Sequence, residues 1–368
     1  MKILHFIYDD INNPWYGGGA SLRTHEIYKR LSGRHDITVV TGSYPEAKKD
    51  CIIDGVRYFR LGSGNSAAKS VLTYSLGVFS LKKKEKYDLV VKDLIPYAPT
   101  FTPFIRNVPS IASIQMAEYP FFKSGGLLGV FPFLVEQLGF RLYSNYVVPS
   151  MGMKEIVLKK TGRSVRIAVI PYGVHDHLFE AAEAKEEKHI LYLGRFDIYH
   201  KGLDILLAAF KKVLVSRPDL KLVLAGGGRE TENLKKMVKE LSFGDRIEFA
   251  GRVSGLKKKG LIEKSLFVVM PSRFESWGIV ALEAGACGKA VIGTDIKCLS
   301  EAIKNNETGI LVPSENSGAL AEAILALAAD RERRRMLGEA GRNWAKKFNW
   351  DNIALEQERF YEEVVNAG

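Results

Sequence analysis

The stretch PSRFESWGIVALEAGACG, residues 271–288, decides the fold prediction. It follows the apolar run LFVVM, which is typical of a buried parallel strand, and it predicts a helix that begins near Trp277–Gly278. Glu275 precedes that helix start and Glu283 lies further along, so at about 100° per residue the two carboxylates are expected to share a broad face. Free N–H groups at a helix start attract phosphate. The segment predicts a site for a ligand that carries phosphate and hydroxyl groups, while two solvated glutamates on an ordinary helix are the plainer interpretation.

Outward from this stretch, the second half of the chain alternates strands with helical segments. An apolar stripe that includes Leu203, Leu206 and Phe210 predicts a helix between the first two strands. Such alternation indicates a parallel sheet with right-handed crossovers. The predicted strands are 189–194, 221–226, 247–251, 266–270 and 290–294, and the predicted later helices are 317–347 and 349–365.

The first half opens with a strand (2–8), a glycine-rich loop, a helix from about Ser21 to Leu31 and a second strand (36–42). This order is the opening of a doubly wound domain. Gly17, Gly18 and Gly19 would let backbone N–H groups approach a diphosphate, although tight turns use the same residues. The dinucleotide fingerprint is absent. Further strands are predicted at 56–61, 88–93, 109–114, 145–150 and 165–174, with a helix near 151–161.

A chain of 368 residues is too long for one typical core, so two domains are expected. The predicted fold class is α/β, with two doubly wound domains that face each other across a cleft. The first domain is predicted to span residues 1–175 and the second 176–349, with a charged linker around 175–188.

The net charge of +11 is unevenly distributed along the sequence. Residues 1–175 hold 23 Lys and Arg against 13 Asp and Glu, which leaves a net charge of only +1 for residues 176–368. A basic half suggests an anionic partner such as acidic lipid, a phosphorylated acceptor or nucleic acid, although solubility alone explains it too. No nucleic-acid-binding motif is recognised, so we expect no nucleic-acid partner.

Three distant cysteines give neither a disulfide framework nor metal-ligand spacing, and they suit a reducing compartment. The N-terminal apolar run is too short for a signal peptide, and no run approaches about 18 apolar residues. We therefore expect a cytoplasmic protein. Residues 119–143 are rich in Phe and Leu, and they are interpreted either as a core helix or as a surface segment that enters a bilayer face.

Two cations follow the predicted strand 189–194. Arg195 stands at the strand end and Lys201 at the start of the next helix. Ligands of such sheets bind at the carboxyl ends of the strands. The pair can neutralise a diphosphate leaving group, or it is simply a surface cation pair.

These residues resemble a family. GRFDIYHKG (194–202), AGGGRE (225–230), FAGRV (249–253) and residues 272–294 are similar to the retaining family-4 glycosyltransferases of the GT-B fold. So are GGGA (17–20), RHDITVVT (34–41) and VIPYGVHDHLF (169–179). The similarity runs from about residue 1 to residue 350.

The resemblance implies a role for each matched position. Arg195 and Lys201 would hold the donor diphosphate, Glu275 would contact the transferred sugar, and Glu283 would bind the ribose hydroxyls. Gly17–Gly19 would close over the phosphates. Arg252 and Val253 would lie beside the base, and backbone groups would line the sugar and phosphates at Trp277, Gly278, Ile279 and Val280. Residues 350–368 would cross back as a final helix onto the first domain.

The family is independent of metal at the chemical step, so no metal and no cofactor is expected besides the nucleotide-sugar co-substrate. Departing phosphate would take the acceptor proton during front-face attack. One departure concerns the donor sugar: Gln115 stands where the family usually places a His that touches it. Glu118 is a candidate to compensate, and the bulk of Ser276 and Trp277 is expected to narrow the sugar pocket.

The resemblance thus predicts transfer of a sugar, with retention, from a UDP- or GDP-sugar bound by the second domain. The acceptor on the first domain would be a cell-envelope glycolipid, lipid-linked oligosaccharide or polysaccharide, with peripheral contact to anionic membrane on its inner face. The alternatives are a nucleotide-sugar epimerase of the same fold and a non-catalytic protein that binds anionic lipid.

Overall fold

The computed structural model describes residues 1–15, 18–80, 86–95, 108–116, 130–180 and 185–367. The chain divides into two units, of which unit 1 is Met1–Tyr172 with Trp350–Gly368 and unit 2 is Gly173–Asn349. The chain first passes from unit 1 to unit 2 between Tyr172 and Gly173, three residues before the predicted boundary at 175/176. The prediction that residues 175–188 form a linker between the domains is wrong, because this segment belongs to unit 2 and its Leu178 is buried. Residues 181–184 lie outside the described residues.

Unit 1 is built on an eight-stranded sheet of order β3-β4-β2-β1-β5-β6-β7-β8. All described pairings are parallel except β3 with β4, which is antiparallel. The central strands are almost continuously apolar, as expected of strands covered on both faces. The strands are β1 (Lys2–Phe6), β2 (Asp36–Gly42), β3 (Asp50–Ile53), β4 (Val56–Leu61), β5 (Leu89–Asp93), β6 (Ser110–Ser113), β7 (Asn145–Val148) and β8 (Arg166–Val169).

Four described helices of unit 1 lie between these strands in sequence. They are α1 (Gly19–Leu31), α2 (Ala67–Ser80), α3 (Val130–Leu142) and α4 (Met151–Thr161). The predicted Phe- and Leu-rich segment 119–143 includes α3, whose buried face carries Gly139 and Phe140. Residues 117–129 lie outside the described residues.

Unit 2 contains a six-stranded parallel sheet of order β11-β10-β9-β12-β13-β14. Its strands are β9 (His189–Arg195), β10 (Lys221–Gly227), β11 (Ile247–Gly251), β12 (Val268–Met270), β13 (Val291–Thr294) and β14 (Ile310–Val312). Its helices are α5 (Leu203–Ser216), α6 (Thr231–Glu240), α7 (Gly255–Lys264), α8 (Ile279–Ala286), α9 (Leu299–Ala302), α10 (Ser317–Ala329) and α11 (Arg331–Ala345).

The predicted helical segment 317–347 consists of two helices. Asp330 ends α10 and caps α11, since its side chain accepts a hydrogen bond from the backbone N–H of Arg333 at 2.8 Å. An Asp at this position satisfies an N–H that has no partner within the helix.

The last helix, α12 (Trp350–Asn366), packs on α1 in unit 1 and so confirms the predicted return of the chain to its first domain. Arg23 donates to Gln357 at 2.9 Å, and the hydroxyls of Tyr28 and Tyr361 are 3.0 Å apart. These contacts are buried. In the part of the chain described, no helix has the length and apolar character to cross a membrane.

Candidate functional site

The carboxyl ends of the unit 2 strands bring several predicted site residues to one edge of the sheet. β9 ends at Arg195, which pairs in register with Gly227 at the end of β10. β9 is also the neighbour of β12, which ends at Met270. Residues after these strands therefore share one edge, where ligands of open α/β sheets bind.

Lys201 and Glu275, which are 74 positions apart in sequence, are in direct contact. Lys201 Nζ donates to Glu275 Oε1 at 2.6 Å, and Ser272 Oγ donates to the same oxygen at 2.9 Å. The two charged side chains are 18% and 13% exposed, so each retains access to solvent. Charge-assisted bonds of this length fix a carboxylate in one position. A cation and an anchored acceptor thus stand together at the sheet edge.

Gly202 explains how Lys201 comes so close to the loop after β12. Its φ of 62° is left-handed, and a Cβ at this position would lie 2.0 Å from the carbonyl oxygen of Pro271. Only glycine adopts this backbone without both strain and collision. The start of α5 is therefore packed directly against residues 271–275.

Arg273 holds the same two loops together. Its guanidinium donates to both carboxylate oxygens of Asp204, at 2.8 and 2.7 Å, and lies 4.6 Å from the ring centroid of Tyr199. It also bonds Glu315 at 2.9 Å. Hydrogen bonds with Asp204 raise the pKa of Arg273 above its usual range. Arg273 is thus a structural clamp for the segment that carries Lys201.

Arg195 has a freer side chain. It is 54% exposed, and its Nη2 lies 4.0 Å from Asp197. Its backbone is fixed instead, because its carbonyl accepts from the Tyr192 hydroxyl at 2.8 Å. Although burial acts to raise the pKa of Asp197, hydrogen bonds from His200 and the charge of Arg195 lower it below its ordinary value. Arg195 is therefore an exposed cation on a fixed strand end.

Glu283 is buried in α8, with 3% of the residue exposed. Its Oε1 accepts from Lys258 Nζ of α7 at 2.5 Å. As predicted, Glu275 precedes the helix and Glu283 lies inside it, but α8 begins at Ile279, so helical spacing does not fix how the two carboxylates are placed. Each carboxylate is placed by its own lysine instead.

Trp277 is 5% exposed and packs edge-on against Phe348, with ring centroids 5.3 Å apart. The narrowing of the sugar pocket by Ser276 and Trp277 stays a prediction. Gly278 is the N-terminal cap of α8, with φ 104°. The first N–H groups of a helix lack intrahelical partners, so Ile279 and Val280 begin the helix as available donors.

Arg252 and Val253 directly follow β11, next to β10 in the sheet. The Arg252 side chain approaches Gly227 so closely that a Cβ there would lie 3.3 Å from its Cγ. Arg252 thus lies with Arg195 and Gly227 at the carboxyl edge of the unit 2 sheet. Among the described residues, no group of three His, Cys, Asp or Glu side chains is placed to hold a metal ion.

In unit 1, the glycine loop leads into α1. Gly18 caps the helix and donates its N–H to Asp9 at 3.0 Å, and Gly19 is the first helical residue. A Cβ on Gly19 would lie 3.3 Å from the Tyr172 ring. Gly17 lies outside the described residues.

Gln115 follows β6, at the carboxyl edge of the unit 1 sheet. Its Oε1 accepts from the Tyr172 hydroxyl at 2.5 Å, and its Nε2 donates to Ser113 at 2.7 Å. Tyr172 therefore contacts both Gly19 and Gln115 and joins two predicted site segments of this unit. Glu118 lies outside the described residues.

Sequence reasoning missed the supporting residues. Four of them contact partners that are distant in sequence, which spacing alone does not reveal, whereas Ser113 and Ser272 contact residues two and three positions away. Tyr172 stands inside a quoted motif, and Ser272 and Arg273 stand inside another, so position within a motif was the available signal. The missed residues are Ser113, Tyr172, Asp204, Lys258, Ser272 and Arg273.

Comparison with known proteins defines the class. Two solved structures match over nearly the whole chain: sucrose-phosphate synthase from Thermosynechococcus elongatus (TM-score 0.84, 23% identity, 100% of both chains) and Anabaena HepE in complex with UDP and glucose (TM-score 0.78, 18% identity, 98% of both chains). At these identities the likeness concerns the fold, and it confirms the predicted GT-B class with two parallel-sheet α/β domains.

Sequence comparison then gives the family. The model described as Glycosyltransferase Family 4 matches residues 17–178, and the model described as Glycosyl transferases group 1 matches residues 175–344. The chain belongs to the family-4 glycosyltransferases. An uncharacterized glycosyltransferase of Methanocaldococcus jannaschii is 26% identical over 99% of both chains. The phosphatidyl-myo-inositol mannosyltransferase of Mycobacterium leprae is 32% identical over about half of each, 54% of this chain and 54% of that one.

Proposed function

We propose that this glycosyltransferase moves a sugar from a UDP- or GDP-sugar to a glycan or glycolipid acceptor with retention of anomeric configuration. The contact between Lys201 and Glu275 carries the proposal, because it places a cation and an anchored carboxylate together at the ligand edge of unit 2. The solved relative with UDP and glucose and the mannosyltransferase relative support a nucleotide-sugar donor and a lipid-linked acceptor.

In the proposed reaction the bond from the anomeric carbon to the diphosphate oxygen breaks first. Arg195 and Lys201 stabilise the negative charge that develops on the departing diphosphate. The diphosphate oxygen takes the proton of the acceptor hydroxyl, and the acceptor oxygen bonds to the anomeric carbon on the face that the diphosphate leaves. Glu275 binds sugar hydroxyls, Glu283 binds the ribose, and helix α8 offers its first N–H groups to phosphate.

The donor is tested first by thermal shift with UDP, GDP, ADP and dTDP and with their sugar conjugates. A ligand that binds only the folded state raises stability by about 2.7 kcal/mol at 100 times its dissociation constant. A shift with UDP or GDP compounds supports the proposal, and a protein that responds to none of them lacks the proposed donor. Free nucleotide without a transferred sugar would favour the epimerase alternative.

The catalytic assignment is tested by Lys201→Ala and Glu275→Ala. Each removes a group that acts on developing charge or on the sugar, so turnover should fall by about 100-fold or more. Lys212→Ala is a matched control, because Lys212 contacts Ser317 on the exposed surface at 3.2 Å. Near-normal turnover in both site variants would contradict the assignment.

We further propose that unit 1 contacts the anionic, inner face of a membrane through α3. Val130, Leu134 and Leu138 recur every four residues and are 37%, 58% and 41% exposed, and Arg141 continues the stripe. An apolar stripe beside a cation suits an interfacial helix on anionic lipid.

Vesicle flotation tests this contact. The double variant Leu134→Glu with Leu138→Glu should abolish flotation with anionic vesicles, because it places acidic groups against acidic lipid. Leu72→Glu with Leu76→Glu on α2 is the matched control, since these residues are 61% and 63% exposed on another helix of unit 1. Equal flotation of wild type and the α3 variant would overturn the proposal.

A further inference from the structure

Lys92 is a buried amine near the carboxyl edge of the unit 1 sheet, and none of the described residues offers its Nζ a hydrogen bond. It is the fourth of the five residues of β5, where it pairs in register with Phe6 of β1. Burial lowers the pKa of Lys92 to about 8, so the amine is still mostly protonated at pH 7. A buried ammonium group without an acceptor is unfavourable, because it has lost its water and gained no partner.

The carboxylate next to Lys92 does not supply the missing acceptor. Successive side chains of a strand point to opposite faces of the sheet, and Asp93 lies on the face away from Lys92. There its two oxygens are 2.5 Å from His5 Nε2 and 3.0 Å from Ser113 Oγ. Asp93 is therefore engaged on the other face of the sheet.

A second buried donor lies beside the amine. The ring centroid of Tyr74, on α2, is 5.7 Å from Lys92 Nζ, and the residue is 0% exposed. The Tyr74 hydroxyl donates to the Val40 carbonyl oxygen over 3.4 Å, and that oxygen also accepts the N–H of Ile7 at 3.1 Å. A good O–H···O bond is about 2.8 Å long, so this contact is a weak one. Two neighbouring buried donors, one of them charged, thus lack a good acceptor among the described residues.

The position of these donors in the fold is one where ligands bind. The chain runs from β1 to β2 on one side of β1, and β5 lies on the other side, so the strand order reverses between β1 and β5. Open α/β sheets bind ligands in the crevice at the carboxyl ends of the strands beside such a switch point. Lys92 is one residue, or about 3.3 Å, from the end of its strand. Its long, flexible stem can carry Nζ that far by a change of rotamer.

We propose that Lys92 and Tyr74 form a site in unit 1 that binds an anionic group, a phosphate or a carboxylate, of a ligand in this crevice. The anion accepts hydrogen bonds from both donors, and the bond from the ammonium group is charge-assisted. The stability that the buried amine costs is then the consequence of a binding role. The identity of the ligand rests on the proposed function, in which it is the acceptor. That acceptor is accordingly acidic, as a sugar phosphate or a glycan with a uronic acid is.

The site is tested on the Lys92 side chain itself, by NMR of protein labelled with carbon-13 at the lysine Cε. The Lys92 resonance is the one absent from the spectrum of Lys92→Met. Titration with inorganic phosphate, glucose 6-phosphate or glucuronate should shift this resonance to saturation, whereas neutral glucose should not. An anion that binds at the edge of unit 2 shifts other lysines instead. The lower dissociation constant, for the phosphates or for the uronate, identifies which acidic group the site takes.

Two variants test the geometry at the same resonance. Tyr74→Phe removes the hydroxyl and keeps the ring, so the dissociation constant of the preferred anion should rise about fivefold. Lys69→Met is the matched control, because Lys69 is an exposed lysine on the same helix as Tyr74. Its charge is screened by solvent, so the dissociation constant at Lys92 should stay within about twofold of wild type. An effect of Lys69→Met as large as that of Tyr74→Phe would overturn the site, because it would show attraction by general surface charge.

Failure of the site and failure of the proposed function are distinguishable. A Lys92 resonance that responds to none of the three anions overturns the site, and nucleotide binding by the same protein then leaves the proposed function standing. A saturable response in a protein that binds no nucleoside diphosphate supports the anion site and contradicts the proposed function, and with it the identification of the ligand as an acceptor.

Discussion

Lys92 lies near the end of β5, fully buried, and its Nζ has no hydrogen-bond partner in the part of the chain described. Burial lowers its pKa to about 8, against the opposing effect of the Asp93 charge. The amine lies 5.7 Å from the Tyr74 ring centroid, a contact that stabilises a cation only partly. The folded protein therefore holds a charge that the unfolded chain solvates better.

Replacing Lys92 should stabilise the protein in a way that depends on pH. The pKa of Lys92 is lower in the folded protein than in the unfolded chain, so between about pH 8 and pH 10 the unfolded chain binds more protons. The destabilisation caused by Lys92 is therefore complete below about pH 8 and decreases as the pH rises toward about 10. Lys92→Met should thus raise the free energy of unfolding by about 1–3 kcal/mol at pH 7. Denaturant titrations at pH 7 and pH 10 measure the difference, which should shrink at pH 10.

The matched control is Lys212→Met, an exposed lysine, which should change stability little at either pH. A gain for Lys92→Met that is the same at both values would show that packing, and not deprotonation, separates the variant from wild type. A loss of stability would show that the buried amine is favourable where it lies.

At the scale of elements, Gly202 and Gly244 form a natural comparison. Their φ angles are 62° and 60°, but a Cβ on Gly202 would meet the Pro271 carbonyl oxygen at 2.0 Å, whereas a Cβ on Gly244 would meet nothing within 4 Å. Gly244→Ala should cost roughly 1 kcal/mol of stability from backbone strain. Gly202→Ala should cost roughly 3 kcal/mol, because α5 must also move from the loop after β12.

Thermal denaturation of both variants measures the difference, and turnover at a permissive temperature reports on the site. Gly202→Ala should also lose activity, because a shift at the start of α5 moves the adjoining Lys201 away from Glu275. Equal stability and activity of the two variants would show that this packing does not position Lys201.

The elements that sequence reveals are those with a strong local pattern. Strands β2, β4 and β11 occur at the predicted residues, since β2 is a buried apolar run and β4 and β11 begin with alternating apolar and polar residues. β3 was missed because it is a short, half-exposed edge strand, and β14 because its apolar run ILV has only three residues. The Lys201–Glu275 pair was predicted residue by residue, but its contact depends on loops that only the folded chain brings together.

For the whole molecule, the net charge of each folded unit differs from the net charge of the corresponding half of the sequence. The first 175 residues have a net charge of +10, but α12 adds one Arg and five acidic residues to unit 1. Unit 1 then holds 24 Lys and Arg against 18 Asp and Glu, a net +6, and unit 2 holds 29 against 24, a net +5. The prediction that the first domain is distinctly more basic than the second is wrong, because the two units have nearly equal net charge. The proposed membrane contact therefore rests on α3 and not on the net charge of unit 1.

The same helix makes unit 1 dependent on the end of the chain. Besides Arg23 and Tyr28, α1 offers Arg30, which binds Asp351 at 2.5 Å, and the adjoining His35 binds Glu358 at 2.5 Å. Trp350 is 1% exposed, so the beginning of α12 is itself part of the core. Removing α12 uncovers the apolar face of α1 and leaves buried polar groups without partners, which is among the costliest changes a unit can suffer.

Deletion of residues 350–368 should therefore unfold unit 1 at a lower temperature while unit 2 keeps its own transition, because the deleted helix belongs to unit 1 alone. Calorimetry should resolve two transitions, with the upper one raised by the donor nucleotide if that ligand binds unit 2. Deletion of residues 367–368 alone is the matched control, since the helix ends at Asn366. A deletion variant that unfolds in one transition, with both units lowered together, would show that the units depend on each other for stability, and the contacts of α12 with α1 would then be only part of what the helix supports.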